Sequence, residues 1–117
     1  MDGFTQEHRP LYEVKANLFR GLAHPVRVRV LEVIVERGPL PVSALLIDTG
    51  VEASNLSQHL SVLRQHNLVT AERHGSHVIY QLSHPQVAEI LADARSLLAA
   101  IVETRHQQLQ SAMSATR

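Results

Sequence analysis

The sequence predicts a mainly α-helical domain carrying one β-hairpin, and three patterns predict it. Val87, Ile90, Leu91, Ala94, Leu97, Leu98 and Ile101 recur at i, i+3, i+4 and i+7, the spacing that gathers apolar side chains on one face of a helix. Leu68-Val-Thr-Ala-Glu-Arg73 and Val78-Ile-Tyr-Gln-Leu82 are short strand-forming runs joined across His74-Gly75-Ser76-His77, where Gly75 supplies the turn. Ahead of the hairpin, a helix within Ala53 to Val69 carries Leu56, Leu60 and Leu63 on one side and Ser54, Gln58, Ser61 and Gln65 on the other.

The remaining elements follow in order. Residues 1–10 read as a mobile arm. Leu11 to Leu22 forms a first helix with Leu11, Val14, Leu18 and Leu22 at helical spacing, preceded by Pro10, which suits a helix start. Ala23-His24-Pro25 interrupts it, and Pro25 opens a second helix to about Arg37 with Val28, Leu31, Ile34 and Val35 inward. Gly38-Pro39 ends that helix. A short third helix from about Pro41 to Thr49 packs Val42, Leu45 and Leu46, and stops at Gly50, suited to a left-handed C-terminal turn. Two short helices joined by a tight glycine-containing turn, the second polar on one side, make a helix-turn-helix pattern, and the hairpin after them is its wing. The closing helix runs from Pro85 to about Leu109, with residues 111–117 as a disordered tail and 11–110 as the folded domain.

Composition narrows the function. A chain of 117 residues supports one modest core, and no segment approaches the ~20 uninterrupted apolar residues of a membrane span. The start, Met1-Asp-Gly-Phe-Thr-Gln-Glu-His8, has neither the basic nor the apolar region of a signal peptide, so the expected location is cytoplasmic. Without cysteine there is no disulfide, thiolate metal site, cysteine nucleophile or thiol switch. No glycine-rich phosphate loop and no nucleophile-base-acid set is present, which argues against an enzyme. Net charge is zero with the histidines neutral, so the global basic excess of many nucleic-acid binders is missing. Eight histidines add positive charge below about pH 6.5, and His59, His66, His74 and His77 fall in the helix and hairpin described above.

The Ser, Asn and Gln face of the 53–66 helix is unlike an ordinary solvated face of long charged side chains. Small polar groups approach base edges and phosphates closely, which is how a helix that reads DNA looks. A polar surface helix without a partner is the alternative.

Taken together, Leu22-Ala-His-Pro-Val-Arg-Val-Arg-Val-Leu31, Val42-Ser-Ala-Leu45, Ser54-Asn-Leu-Ser-Gln-His-Leu-Ser-Val-Leu63 and the Arg73-His-Gly75 wing with Tyr80 resemble the ArsR/SmtB family of small winged helix-turn-helix repressors. The resemblance covers roughly residues 11–109. It implies four helices, a two-stranded wing and a fifth helix, paired as a homodimer through the first and last helices. The apolar stripes fit: Leu11, Val14 and Leu18 with Val87, Ile90, Leu91, Ala94, Leu97, Leu98 and Ile101 exceed what so small a domain covers alone, and a two-fold interface would bury them. A double-stranded palindromic operator follows.

Position and match to the family run assign Ser54, Asn55, Ser57 and Gln58 to the major groove, with Ser61 on the same stripe and Arg64 as a phosphate clamp. Gln58 is the best base reader, because its amide both donates to and accepts from adenine. Ser54 and Ser57 have phosphate contact or helix capping as alternatives. His59 lies about 60° from the leucine seam, so DNA contact and a packed core-edge histidine are both open. The wing contributes Arg73, His74, Gly75 and His77 to the minor groove or backbone, a solvated tip being the alternative. Two arginines, no lysine and one glutamate between Ala53 and Tyr80 predict binding that is salt-sensitive but not extreme, with a slope set by a few phosphate contacts per protomer. Affinity is expected to strengthen as pH falls from about 7.5 to about 6 and the wing histidines charge.

Neither sensor site of the family is retained. The third helix offers Ser43 and no thiol; around His84, the last-helix Asp-x-His…His-x-x-Glu set is replaced by Leu82, Arg95 and Leu98. No metal or other cofactor is assigned; His84 of one subunit with Glu103 and His106 of the other is the residual nitrogen/oxygen set, reachable only in an antiparallel dimer, since the histidines lie ~33 Å apart along one helix. His8 could join such a set but cannot define one. A winged-helix module that binds protein and not DNA is the competing function.

Overall fold

The computed structural model describes residues 8–115, so most of the expected arm and the last two residues of the expected tail lie outside the described residues. The chain divides into two compact units, Met1–Pro85 and Gln86–Arg117.

In the first unit α1 (Arg9–Leu22) begins two residues ahead of Leu11, with Pro10 in its first turn and Arg9 Nε donating to Glu13 Oε1 at 3.0 Å. α2 (Pro25–Arg37) is capped by His24, whose Nδ1 accepts the Val26 N–H at 3.1 Å, and it ends at Gly38, φ +83°. α3 (Val42–Thr49) ends at Gly50 in the left-handed conformation, φ +68°, where a residue with Cβ would be strained. α4 (Ala53–Gln65) ends in a Schellman turn: Leu68 N–H returns to Leu63 O at 2.9 Å and Asn67 N–H to Arg64 O at 3.0 Å, with Asn67 at φ +59°. Leu63 and Leu68, both buried, supply the apolar pair that accompanies this turn.

The hairpin consists of β2 (Val69–His74) and β3 (His77–Leu82), each one residue longer at the tip than the sequence pattern suggests. Its turn is the two residues Gly75 and Ser76, with Gly75 at φ +65°, the sign that the first position of a II′ turn requires. A third strand, β1 (Leu40–Pro41), pairs antiparallel with β3 through Leu40 opposite Tyr80 and Pro41 opposite Ile79, giving the order β1-β3-β2. Two residues carry no alternation, so nothing in the sequence marked this strand.

The core joins Val30, Leu31, Val33 and Ile34 of α2 to Leu45 of α3, Leu56, Leu60 and Leu63 of α4, and Leu40, Val69 and Tyr80 of the sheet, all at most 7% exposed. Val35, expected inward, is 43% exposed. In Val-Arg-Val-Arg-Val-Leu-Glu-Val-Ile-Val the valines outnumber one helical face, and the buried arc falls on Val30 and Val33 instead.

The second unit is one helix, α5 (Gln86–Ala115). It runs through Ser111, past the point at which a tail was expected, because Ala112, Met113 and Ala115 favour helix and no Gly or Pro interrupts. Val87, assigned to the dimer stripe, is already buried in the single chain; Ile90 and Leu91 are half-buried, Ala94 is exposed, and Leu97, Leu98 and Ile101 are 62%, 62% and 44% exposed. No described helix is long and apolar enough to cross a membrane.

Candidate nucleic-acid interface

The leucine seam fixes which side of α4 is free. Leu56, Leu60 and Leu63 are at most 2% exposed, so Ser54, Asn55, Ser57, Gln58, Ser61 and Arg64 are left on the surface, and all six are exposed. Ser54, Asn55, Ser57 and Gln58 make no side-chain hydrogen bond within the described residues. The N-cap is Glu52, without a side-chain cap, so neither serine serves that role. Arg64 Nη2 reaches Ser61 Oγ at 3.5 Å, which places the expected clamp on the same stripe.

His59 departs from this face. It is 9% exposed, its Nδ1 lies 3.2 Å from Arg27 Nη1, and its ring packs on His24 with centroids 4.1 Å apart, tilted by 41°. The structure therefore resolves the open reading in favour of a packed core-edge histidine, and removes His59 from the surface that could touch DNA directly. Burial first, then the nearby His24 and Arg27, hold its pKa below the usual imidazole range.

The wing is less unified than its sequence suggests. Strand pairing sets Glu72 opposite Ile79 and His74 opposite His77 on one face of the hairpin, whereas Arg73, opposite Val78, falls on the other. Arg73, His74, Gly75 and His77 are all exposed, and His74 Nε2 lies 3.6 Å from Glu72 Oε2.

Several positioning contacts were invisible in sequence. Arg27 donates through Nε to Gly21 O at 2.8 Å and through Nη2 to Arg20 O at 3.1 Å, tying the end of α1 to α4 by way of His59. Arg29 grips Asp48 with two bonds, Nε to Oδ1 at 2.7 Å and Nη2 to Oδ2 at 2.9 Å, so α2 holds α3. This pairing holds the Asp48 carboxyl below, and the Arg29 guanidinium above, their usual ranges. Gly21 lets α1 approach the end of α4: a Cβ there would meet His66 Cβ at 2.7 Å. The motif around His24-Pro25-Val26-Arg27 was the one available signal, but nothing in its spacing points to His59, 32 positions on.

The residual metal candidates are expected to meet only across two subunits, and in the single chain each stands exposed. His84, Glu103 and His106 are exposed, Glu103 Oε1 accepts from Gln107 Nε2 at 3.3 Å, and no three His, Asp or Glu among the described residues could hold one ion.

Comparison with known proteins agrees with this geometry. A helix-turn-helix domain model matches residues 22–72. The chain is 48% identical over 99 residues to the HTH-type transcriptional regulator Rv0081 of Mycobacterium tuberculosis, covering 85% of this chain and 87% of that protein. The Rv0081 crystal structure superposes with a TM-score of 0.77 over 82% of this chain and 96% of that one, at 49% identity. A homodimeric winged helix-turn-helix DNA-binding domain from Mycobacterium bovis aligns with a TM-score of 0.74 at 25% identity, over 85% of this chain and 91% of that one. The transcriptional repressor BigR from Xylella fastidiosa gives 0.68 at 29% identity, over 80% and 96%. With 48% identity to an HTH-type regulator and the helix-turn-helix and wing in place, this chain belongs to the ArsR family of winged helix-turn-helix transcriptional regulators, which are not enzymes.

Proposed function

We propose that this regulator is a homodimeric repressor that reads a palindromic duplex operator with α4 and steadies itself with the wing. The observation that carries the reading is the stripe of exposed Ser54, Asn55, Ser57, Gln58 and Ser61 opposite a fully buried leucine seam. Gln58 reads adenine; Ser54, Asn55 and Ser57 meet base edges or phosphates at the positive end of the helix dipole; Arg64 takes a phosphate. His74 and His77 present one face of the hairpin to the DNA and Arg73 the other, while Gly75 keeps the tip narrow. The homodimeric relative and the exposed Leu11, Val14, Leu97, Leu98 and Ile101 support pairing through α1 and α5, with Leu18, Ile90, Leu91 and Ala94 on the same stripes. Two copies related by a two-fold axis require half-sites that are inverted and spaced by about 10 base pairs or a multiple.

Selection of duplexes from a random pool by the full chain tests this. Enrichment of an inverted repeat with that spacing is the expected result. Recovery of unrelated sequences, or of none, would favour a module that binds protein instead.

A further inference from the structure

His24, Arg27 and His59 join three elements at one point, and their hydrogen bonds specify a protonation state. Arginine carries only donors, so His59 Nδ1, 3.2 Å from Arg27 Nη1, must accept, and the ring's single proton sits on Nε2. His24 Nδ1 likewise accepts the Val26 N–H at 3.1 Å, so its proton is also on Nε2. The next proton on either ring would therefore face a donor. On His59 it would oppose a guanidinium already bound to the Gly21 and Arg20 carbonyls; on His24 it would break the cap of α2. The two rings pack at 4.1 Å, so a charge on one acts on the other. His24, from the α1–α2 junction, and Arg27, from α2, are the charged or titratable groups that act on His59; both disfavour its cation, and neither is a carboxylate able to offset it.

The cluster is attached to the reading surface. His59 follows Gln58 directly on α4, and lies within four residues of Asn55, Ser57 and Ser61. Displacing His59 from a site only 9% exposed breaks the contact through which Arg27 holds this turn of α4.

We propose that His24, Arg27 and His59 are a positioning cluster that holds α4 in its DNA-reading pose only while both imidazoles are neutral, so that acid releases the operator before it unfolds the chain. The inference rests on the DNA-reading function proposed above. Proton and operator then behave as competing ligands of one two-state element. A proton on His59 opposes binding whereas charge on the wing favours it, so a variant that removes the first alone separates the two.

The test compares the parent with His59→Gln, whose amide can still accept from Arg27 but does not titrate. Operator affinity is measured by fluorescence anisotropy from about pH 8 to about pH 5 at constant ionic strength, with far-UV circular dichroism at each pH. Both proteins keep the same wing and the same His24, so the ratio of their affinities isolates the proton on His59. Relative to the variant, the parent should lose about tenfold in affinity per pH unit for each His59 that protonates, hence up to about a hundredfold for the two protomers on one operator, with unchanged dichroism. His59→Gln, whatever its affinity at pH 8, should show only the change that the wing and His24 produce in both proteins. Parallel profiles would overturn the proposal. Should His59→Gln fail to fold, imidazole NMR titration of the parent decides: protonation of His59 must shift the Ser57 and Gln58 amides at the same midpoint, and shifts confined to the ring would overturn it. Absence of sequence-selective binding by the parent at pH 8 would instead overturn the DNA reading, and the cluster's role with it.

Discussion

Gly21→Ala adds one methyl group where α1 meets the end of α4. Its Cβ would stand 2.7 Å from His66 Cβ, 2.8 Å from His66 Cγ and 2.9 Å from Leu68 Cδ1, against about 3.5–4.0 Å for carbon atoms at rest. The first neighbour cannot swing away, because His66 is the C-cap of α4 and its Cβ is set by the backbone of the Schellman turn. Overpacking of this kind costs about 1–3 kcal/mol, and the rigid neighbour places Gly21 near the upper figure. Replacing glycine by alanine inside a helix returns about 1 kcal/mol, leaving a net loss of about 2 kcal/mol. For a domain of this size that is a fall in Tm of about 8 °C. Thermal unfolding followed by circular dichroism, at one fixed protein concentration because a dimer's Tm depends on it, measures the loss. A variant as stable as the parent, or more stable, would show that propensity outweighs contact and that α1 does not seat on α4 as described.

Three further outcomes are expected. Asp48→Asn weakens the grip of α2 on α3. Because Asp48 is depressed below its ordinary value of 3.8, its stabilising contribution is complete above that pH and disappears as pH falls through the depressed value. Urea midpoints should therefore separate parent and variant at neutral pH and converge in acid; a constant gap would remove the ion pair from the account. Asn67→Gly should leave Tm unchanged or slightly higher, whereas Asn67→Val should cost about 1–2 kcal/mol, since φ +59° penalises a β-branched residue; equal effects would refute the left-handed cap. Leu98→Glu on the exposed α5 stripe should convert the protein to monomer in sedimentation velocity and weaken operator binding together, and a variant that stays dimeric would take that stripe out of the interface.

The legible parts of this fold were those with a period or a breaker. The seam of Leu56, Leu60 and Leu63, the stops at Gly38 and Gly50, and the turn at Gly75 all express local chemistry, and each stands where the pattern places it. β1 was illegible because Leu40 and Pro41 become a strand only by meeting Tyr80 and Ile79, some forty residues later. The helical pattern of the valines in α2 was degenerate, so tertiary packing decided that Val33 and not Val35 is buried. In the candidate interface the polar stripe was readable, since exposure is the complement of a seam. The arrangement of the wing was only half readable: Arg73 and His74 alternate as neighbours on one strand, but the register that sets His77 on the face of His74 depends on the length of the turn. The contacts that position α4 are long-range, Arg27 to His59 and Gly21 to His66, and no spacing rule reports them.

If Gln58, on the free face of α4, reads sequence as proposed, its removal must cost affinity only on the selected duplex. Anisotropy of a labelled inverted-repeat duplex recovered by selection, in excess random DNA, should be compared for the parent and Gln58→Ala. The variant should lose about 1–3 kcal/mol on the selected duplex, roughly tenfold or more in Kd, with little change on random DNA. Equal loss on both duplexes, or none on either, would contradict it.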